Sequence, residues 1–133
     1  MNMTNEKVYG PLTLPSGKEV FFRKPLRKDR NEAMVAADFE NKVYGLALID
    51  VEEYIKAQCL VKVDGKEPEL NYTKTFDSWD DQDVQYYATV FDHMFGMTKE
   101  KQDDAAEKAA FLLKSLTSTA GSNLTDESVT TNG

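Results

Sequence analysis

The sequence predicts an α+β fold, with one domain over residues 1–116 and a disordered polar tail over residues 117–133. Apolar residues alternate near the start of the chain, which favours strands, and recur at spacings of three and four further on, which favours helices. The chain has 133 residues, of which 41% are hydrophobic, and this is enough to bury a core. The predicted order is an N-terminal β-hairpin, helices, a second short β-hairpin and a C-terminal antiparallel αα-hairpin.

The N-terminal hairpin is predicted from two alternating segments on either side of a turn. Alternate positions on one face of these segments are apolar: Leu12, Leu14, Val20 and Phe22. Phe21 therefore faces the other side of the second strand. Residues 15–18 between the strands contain Pro15, which presets φ, and Gly17, which accepts a positive φ, as a turn requires.

Helix is predicted from Asp29 to about Gln58, with a break near Asn41. Asp29 is expected to cap the first part, since Glu32 follows three residues later as in a capping box. Pro25 prevents an earlier start. The second part carries an apolar stripe at spacings of four and three: Tyr44, Leu48, Val51, Ile55 and Cys59.

The second hairpin is predicted after this helical region. Residues 60–63 alternate and are followed by Asp64 and Gly65, a dipeptide typical of hairpin turns. The return strand is expected over residues 70–73.

Two helices are predicted near the C-terminus. The first is capped by Asp80 and runs to about Phe95, with Gly96 in a left-handed conformation after it. Thr98 is expected to cap the second, and so short a connection is typical of an antiparallel αα-hairpin. Residues 117–133 are mostly Ser, Thr, Asn and Gly, so burial cannot offset the entropy of ordering them.

The charge distribution argues against nucleic acid as a partner, and the lack of a long apolar run argues against a membrane. Residues 1–30 carry seven Lys or Arg against three Asp or Glu, whereas residues 31–133 carry nine against twenty. An acidic body of this kind lacks the basic face that phosphate binding needs. No apolar run approaches the roughly 18 residues of a membrane span, and the polar start has no signal-peptide core.

The residues also give little support to catalysis, metal binding or a cofactor. There is one cysteine, Cys59, and one histidine, His93, too few for a Cys/His metal site. Four aspartates lie within residues 77–83, but the glycine and distal glutamate of a calcium loop do not follow them. We therefore expect the aspartates to cap and stabilise a helix, with Trp79 packing on Val84.

Three motifs carry a resemblance to a known group of proteins. They are Leu14-Pro15-Ser16-Gly17-Lys18-Glu19-Val20, the Arg27-Lys28-Asp29 entry to a helix, and Trp79-Asp80-Asp81-Gln82-Asp83-Val84-Gln85-Tyr86-Tyr87 followed by Phe91 and Met94-Phe95-Gly96-Met97. Over roughly residues 9–116 the chain resembles the tail assembly chaperones and related baseplate-assembly proteins of tailed bacteriophages. These families have no catalytic residues to transfer.

The resemblance implies a non-enzymatic protein that binds a tail or baseplate component, such as a tape-measure or hub-like protein, in the cytoplasm of the infected bacterium. Such a chaperone needs exposed apolar side chains on an acidic body. The candidate partner-binding residues are Phe21, Tyr86, Tyr87, Met94, Phe95 and Met97. For each of them, a position in the core is the alternative.

Two other functions stay open from the sequence. One is a structural subunit of the tail or baseplate that is retained in the virion. The other is a small acidic protein that inhibits a host factor. A homo-oligomer is compatible with each.

Overall fold

The α+β class is confirmed by the structure, a computed structural model that describes residues 7–123, with side chains to Leu116. The elements in chain order are β1 (Val8–Thr13), β2 (Glu19–Arg23), α1 (Arg27–Ala36), α2 (Tyr44–Gln58), β3 (Leu60–Val63), a 3-10 helix (Tyr72–Ser78), α3 (Asp81–Phe95) and α4 (Lys99–Asn123). The chain divides into two compact units, Met1–Gly96 and Met97–Gly133. The domain predicted over residues 1–116 stays a prediction.

The first unit contains an antiparallel three-stranded sheet in the order β1-β2-β3. The predicted N-terminal hairpin is confirmed, with Leu12 opposite Val20. Its turn is closed by the Leu14 N–H, which donates to the Lys18 carbonyl at 2.8 Å, while Gly17 adopts a φ of +99°. Among the described residues, β2 is thus the central strand.

The second hairpin is only partly formed. The turn at Asp64 and Gly65 is present, and Val63 and Lys66 form an isolated bridge. The predicted return strand over residues 70–73 is wrong, because β3 pairs with β2 instead and the chain enters the 3-10 helix. The side chain of Asn71 accepts a hydrogen bond from the Thr73 N–H at 3.1 Å, and such local capping competes with strand pairing.

The first helix starts two residues earlier than predicted. α1 begins at Arg27, and Asp29 lies in its first turn rather than before it. The Asp29 carboxylate accepts a hydrogen bond from the Leu26 N–H at 2.8 Å, so it does satisfy a free donor at the helix start. Residues 37–43 separate α1 from α2, which confirms the predicted break.

The two C-terminal helices follow each other with a short connection, as predicted. Thr98 caps α4, since its hydroxyl oxygen accepts from the Lys101 N–H at 3.2 Å. The predicted left-handed conformation of Gly96 is wrong, because its φ is −73°. α4 is helical to Asn123, past the predicted end, and the rest of the predicted tail lies outside the described residues.

The core of the first unit lies between the sheet and the helices. Val20 and Phe22 of β2 are buried, together with Tyr87 and Phe91 of α3. The rings of Phe22 and Tyr87 meet edge to face at a centroid distance of 5.4 Å, a favourable aromatic geometry. Cys59, at the end of the predicted apolar stripe, is fully buried in this cluster.

Candidate protein-binding surface

One of the predicted partner-binding residues is placed in the core. Tyr87 has no exposed surface, and its hydroxyl donates a hydrogen bond to the Lys56 carbonyl at 2.8 Å. Burial strongly raises its pKa above the ordinary tyrosine value. Tyr87 therefore lies in the core, the alternative that the sequence left open for each of these residues. It lies on the buried stripe of α3 that also contains Asp83 and Phe91.

Two more of the predicted residues are partly buried. The ring of Phe95 packs against those of Phe91, at 5.0 Å, and Tyr9, at 5.5 Å. Phe21 lies close to Gly10, where an added Cβ would stand 2.8 Å from its Cδ2 atom. Both phenylalanines thus have roles in packing within the first unit.

The remaining three predicted residues are exposed. Tyr86 and Met94 lie on α3 with 45% and 37% of their surface exposed, and Met97, in the second unit, is 68% exposed. The six predicted residues therefore do not form one continuous site within the first unit.

A larger apolar surface lies at the amino-terminal end of α2. Residues 43–49 contain no charged side chain. Five large apolar side chains here are 41–71% exposed, and we call them the α2 surface: Val43, Tyr44, Leu46, Leu48 and Ile49. The ring of Tyr44 is supported by that of Phe39, at a centroid distance of 5.7 Å.

The α2 surface is exposed for two geometric reasons. Tyr44 and Leu48 continue the apolar stripe of the helix, but burial on that stripe begins only at Ala47 and continues through Val51. Leu46 and Ile49 lie about 140–160° around the helix from Val51, given roughly 100° per residue. This end of α2 is therefore apolar on all sides.

An isolated exposed leucine needs no explanation, but a helix that is apolar all round is normally buried. A contiguous exposed apolar patch marks a site of protein or membrane interaction. No helix among residues 7–123 is long and apolar enough to cross a membrane. The α2 surface is therefore the strongest candidate binding site of the first unit.

Two aspartates of the cluster at residues 77–83 make structural contacts, whereas Asp80 lies at the N-cap of α3 without the side-chain hydrogen bond that the sequence predicted. Asp83 is buried and accepts two hydrogen bonds from Ser16, at 3.1 Å from the backbone N–H and 2.5 Å from the hydroxyl. Asp81 accepts one from the Gln85 side chain at 2.6 Å. Within the described part of the chain, no three His, Cys, Asp or Glu side chains are arranged to hold a metal ion.

Trp79 lies within this cluster, and its side chain contacts two residues that the sequence did not predict as its neighbours. Its ring meets that of Phe76 at 4.8 Å, and the Lys18 ammonium lies 5.3 Å from its centroid. The expected packing on Val84 remains a prediction. His93 is exposed.

A shallow groove of about 360 Å³ lies between the start of α1 and the end of α3. Glu52 and Asp92 line it, but Glu52 is paired with Arg30 at 3.0 Å, and Asp92 with Lys56 at 3.2 Å. These acidic groups are satisfied within the chain, so the groove is a weaker candidate than the α2 surface.

Comparison of this chain with protein-family models, with curated proteins and with solved structures gives no match. The candidate surface is therefore interpreted from its own geometry.

Proposed function

We propose that this protein is a non-enzymatic assembly chaperone or adaptor that binds a tail or baseplate protein during phage assembly, in the cytoplasm of the infected bacterium. The observation that carries the proposal is the exposed, charge-free α2 surface. The choice of a phage protein as partner rests on the motifs at the hairpin turn and at the start of α3.

Those two motifs meet in the folded chain. Ser16 of the first motif bonds to Asp83 of the second, and Lys18 lies over the ring of Trp79. The motifs therefore hold the sheet against α3, and they leave the α2 surface free for a partner. The resemblance thus concerns the scaffold, and the α2 surface is the part that supports binding.

Binding by the α2 surface would follow ordinary hydrophobic association. Burying a leucine or isoleucine side chain contributes about 1.5–3 kcal/mol. Leu46 and Ile49, which point away from the core, are the residues that an apolar segment of a partner would cover first. A contact built on a few side chains suits a reversible complex better than a permanent one.

The proposal is tested by co-expressing the tagged chain with the tail and baseplate proteins of the same phage, followed by affinity purification. A Leu46→Lys/Ile49→Lys variant should lose the captured partner. Leu70→Lys is a matched control, because Leu70 is fully exposed but lies outside α2. Equal capture by all three proteins would contradict the proposed role of the α2 surface.

The main alternative, a structural subunit, makes a different prediction for the finished particle. A chaperone leaves after assembly, so mass spectrometry of purified virions should not detect the chain at stoichiometric amounts. Detection at a fixed copy number per tail would overturn the chaperone proposal in favour of a structural subunit.

A further inference from the structure

The α2 surface is bordered on one side by acidic residues. Asp50 follows Leu46 by four positions, and Glu53 follows Ile49 by four. Residues at this spacing are neighbours on one helix face, with Cβ atoms about 5–6 Å apart. The apolar side of the surface that points away from the core therefore ends, one turn later, in two carboxylates.

The two carboxylates differ in their surroundings. Asp50 is already paired with the Lys42 ammonium, whereas Glu53 forms no salt bridge with any side chain between residues 7 and 116. The pKa of Glu53 is raised by partial burial and then by the negative charge of Asp50, with Asp81 and Asp77 adding to it. Lys56 opposes the shift but does not cancel it.

Glu53 thus lies in a region of negative potential to which the start of α3 also contributes. A cation placed there gains attraction from several carboxylates at once, and it offsets the repulsion that Asp50, Asp77 and Asp81 exert on Glu53. The whole chain has a net charge of −7, which further favours the approach of a basic partner.

We propose that the α2 surface binds an amphipathic helical segment in which a lysine or arginine follows the apolar contact residues by about one turn. The apolar residues would cover Leu46 and Ile49, and the cation would face Glu53. This inference rests on the proposed function, since it specifies the partner of the same surface. The apolar contact supplies most of the affinity, and the cation sets the direction in which the segment lies.

The test uses the full chain and three labelled helical peptides with one common apolar face. The peptides differ only in carrying Lys, Gln or Glu one turn after that face. Fluorescence anisotropy at low salt should show the Lys peptide binding about fivefold more tightly than the Gln peptide, and the Glu peptide binding most weakly. The difference should shrink in about 0.5 M salt, where the Debye length is only a few ångströms.

Variants of Glu53 test whether this residue causes the preference for the Lys peptide. Glu53→Lys should reverse the order of the three peptides, and Glu53→Gln should reduce the preference without reversing it. Glu67→Lys changes the charge equally at an exposed position outside α2, so it should keep the original order. Circular dichroism of each variant confirms that the chain is folded before binding is measured.

Several outcomes would overturn the inference. Equal binding of all three peptides would do so while leaving the proposed function intact, since the apolar contact would then suffice. An unchanged order with Glu53→Lys would place the cation elsewhere. Binding of none of the peptides, together with no captured phage protein, would reject both proposals. A dimer of the chain that Ile49→Lys dissociates would show that a second copy occupies the surface.

Discussion

Ser16 and Asp83, 67 positions apart in the chain, are joined by two hydrogen bonds in which Asp83 is the acceptor of both. Ser16 lies in the turn between β1 and β2, and Asp83 lies in the first turn of α3. The carboxylate also lies close to the positive end of the α3 dipole, where acidic side chains stabilise a helix. One side chain thus connects the sheet to the helix that supplies Tyr87 and Phe91 to the core.

We expect Asp83→Ala to destabilise the protein by about 1–3 kcal/mol, because the Ser16 N–H loses its acceptor in a partly buried place. Urea unfolding followed by circular dichroism measures the change. Asp81→Ala is the matched control, since Asp81 lies in the same turn but is exposed. Equal stability of the two variants would contradict the structural role of Asp83.

Ser16→Ala should be milder than Asp83→Ala, since it removes the hydroxyl but keeps the backbone N–H. We expect a loss of about 1 kcal/mol. In a double-mutant cycle, the two substitutions should not be additive, because they remove parts of one interaction. Strict additivity would show that Ser16 and Asp83 act independently.

Asp29 should make the protein sensitive to acid. Burial acts to raise its pKa, but hydrogen bonds from Arg23, at 2.8 and 2.9 Å, and from the Leu26 N–H lower it overall. A carboxyl group with a lowered pKa contributes stability above its unfolded pKa, and this contribution is lost as the pH falls through the folded value. The loss should begin near pH 4 and continue below it.

Asp29→Asn tests this pH dependence. At pH 7 the variant should be less stable by about 2 kcal/mol, the scale of a hydrogen bond to a charged group. The gap between the two proteins should narrow as the pH falls below about 4. Glu32→Gln, at an exposed position of the same helix, serves as the control. A stability difference between the two proteins that stays constant with pH would contradict the lowered pKa of Asp29.

Much of this fold follows from local patterns in the sequence. The alternation of Leu14, Val20 and Phe22 predicts the hairpin and its buried face, and the Thr98 cap marks the start of α4. Pairing between distant segments is harder to predict from the sequence. The alternation over residues 60–63 indicates a strand but does not reveal which other strand pairs with it. The predicted return strand failed for that reason, and β3 pairs with β2 instead.

Gly96, which follows the end of α3, and Gly45, within α2, should respond in opposite ways to alanine. A Cβ at Gly96 would stand 2.5 Å from the Asp92 carbonyl oxygen, whereas a Cβ at Gly45, within α2, meets nothing within 4 Å. Gly96→Ala should therefore destabilise the protein by roughly 1 kcal/mol, since backbone has to shift. Gly45→Ala should stabilise it by about 0.5–1 kcal/mol through helix propensity.

Thermal unfolding of both variants checks this pair. A change of 1 kcal/mol corresponds to about 4–8 °C in Tm for a unit of this size. An unchanged Tm for Gly96→Ala would mean that the close approach to Asp92 relaxes without cost. A lower Tm for Gly45→Ala would mean that the exposed end of α2 is less open than its geometry indicates.

The candidate surface was harder to predict than the fold. Periodicity places Tyr44 and Leu48 on the same stripe as Val51, and nothing in that spacing shows where the core ends. The usable signal is the absence of charge over residues 43–49, combined with apolar residues on every side of the helix. The position of Tyr87 stayed open for a related reason, since an aromatic residue has the same sequence pattern whether it lies in the core or at an interface.

Tyr86 and Tyr87 are neighbours in sequence, and substitutions at the two positions should distinguish an effect on stability from an effect on binding. Tyr87→Phe removes the hydroxyl that donates to the Lys56 carbonyl at 2.8 Å and leaves that carbonyl without this donor. We expect a loss of about 0.5–1.5 kcal/mol, read by chemical unfolding, with no change in partner capture by the folded protein. Tyr86→Phe is the matched control, because Tyr86 is 45% exposed and water replaces any hydrogen bond its hydroxyl makes. If Tyr87→Phe abolished capture while leaving the unfolding curve unchanged, Tyr87 would belong to the binding surface after all, and its burial against β2 would have to open when the partner arrives.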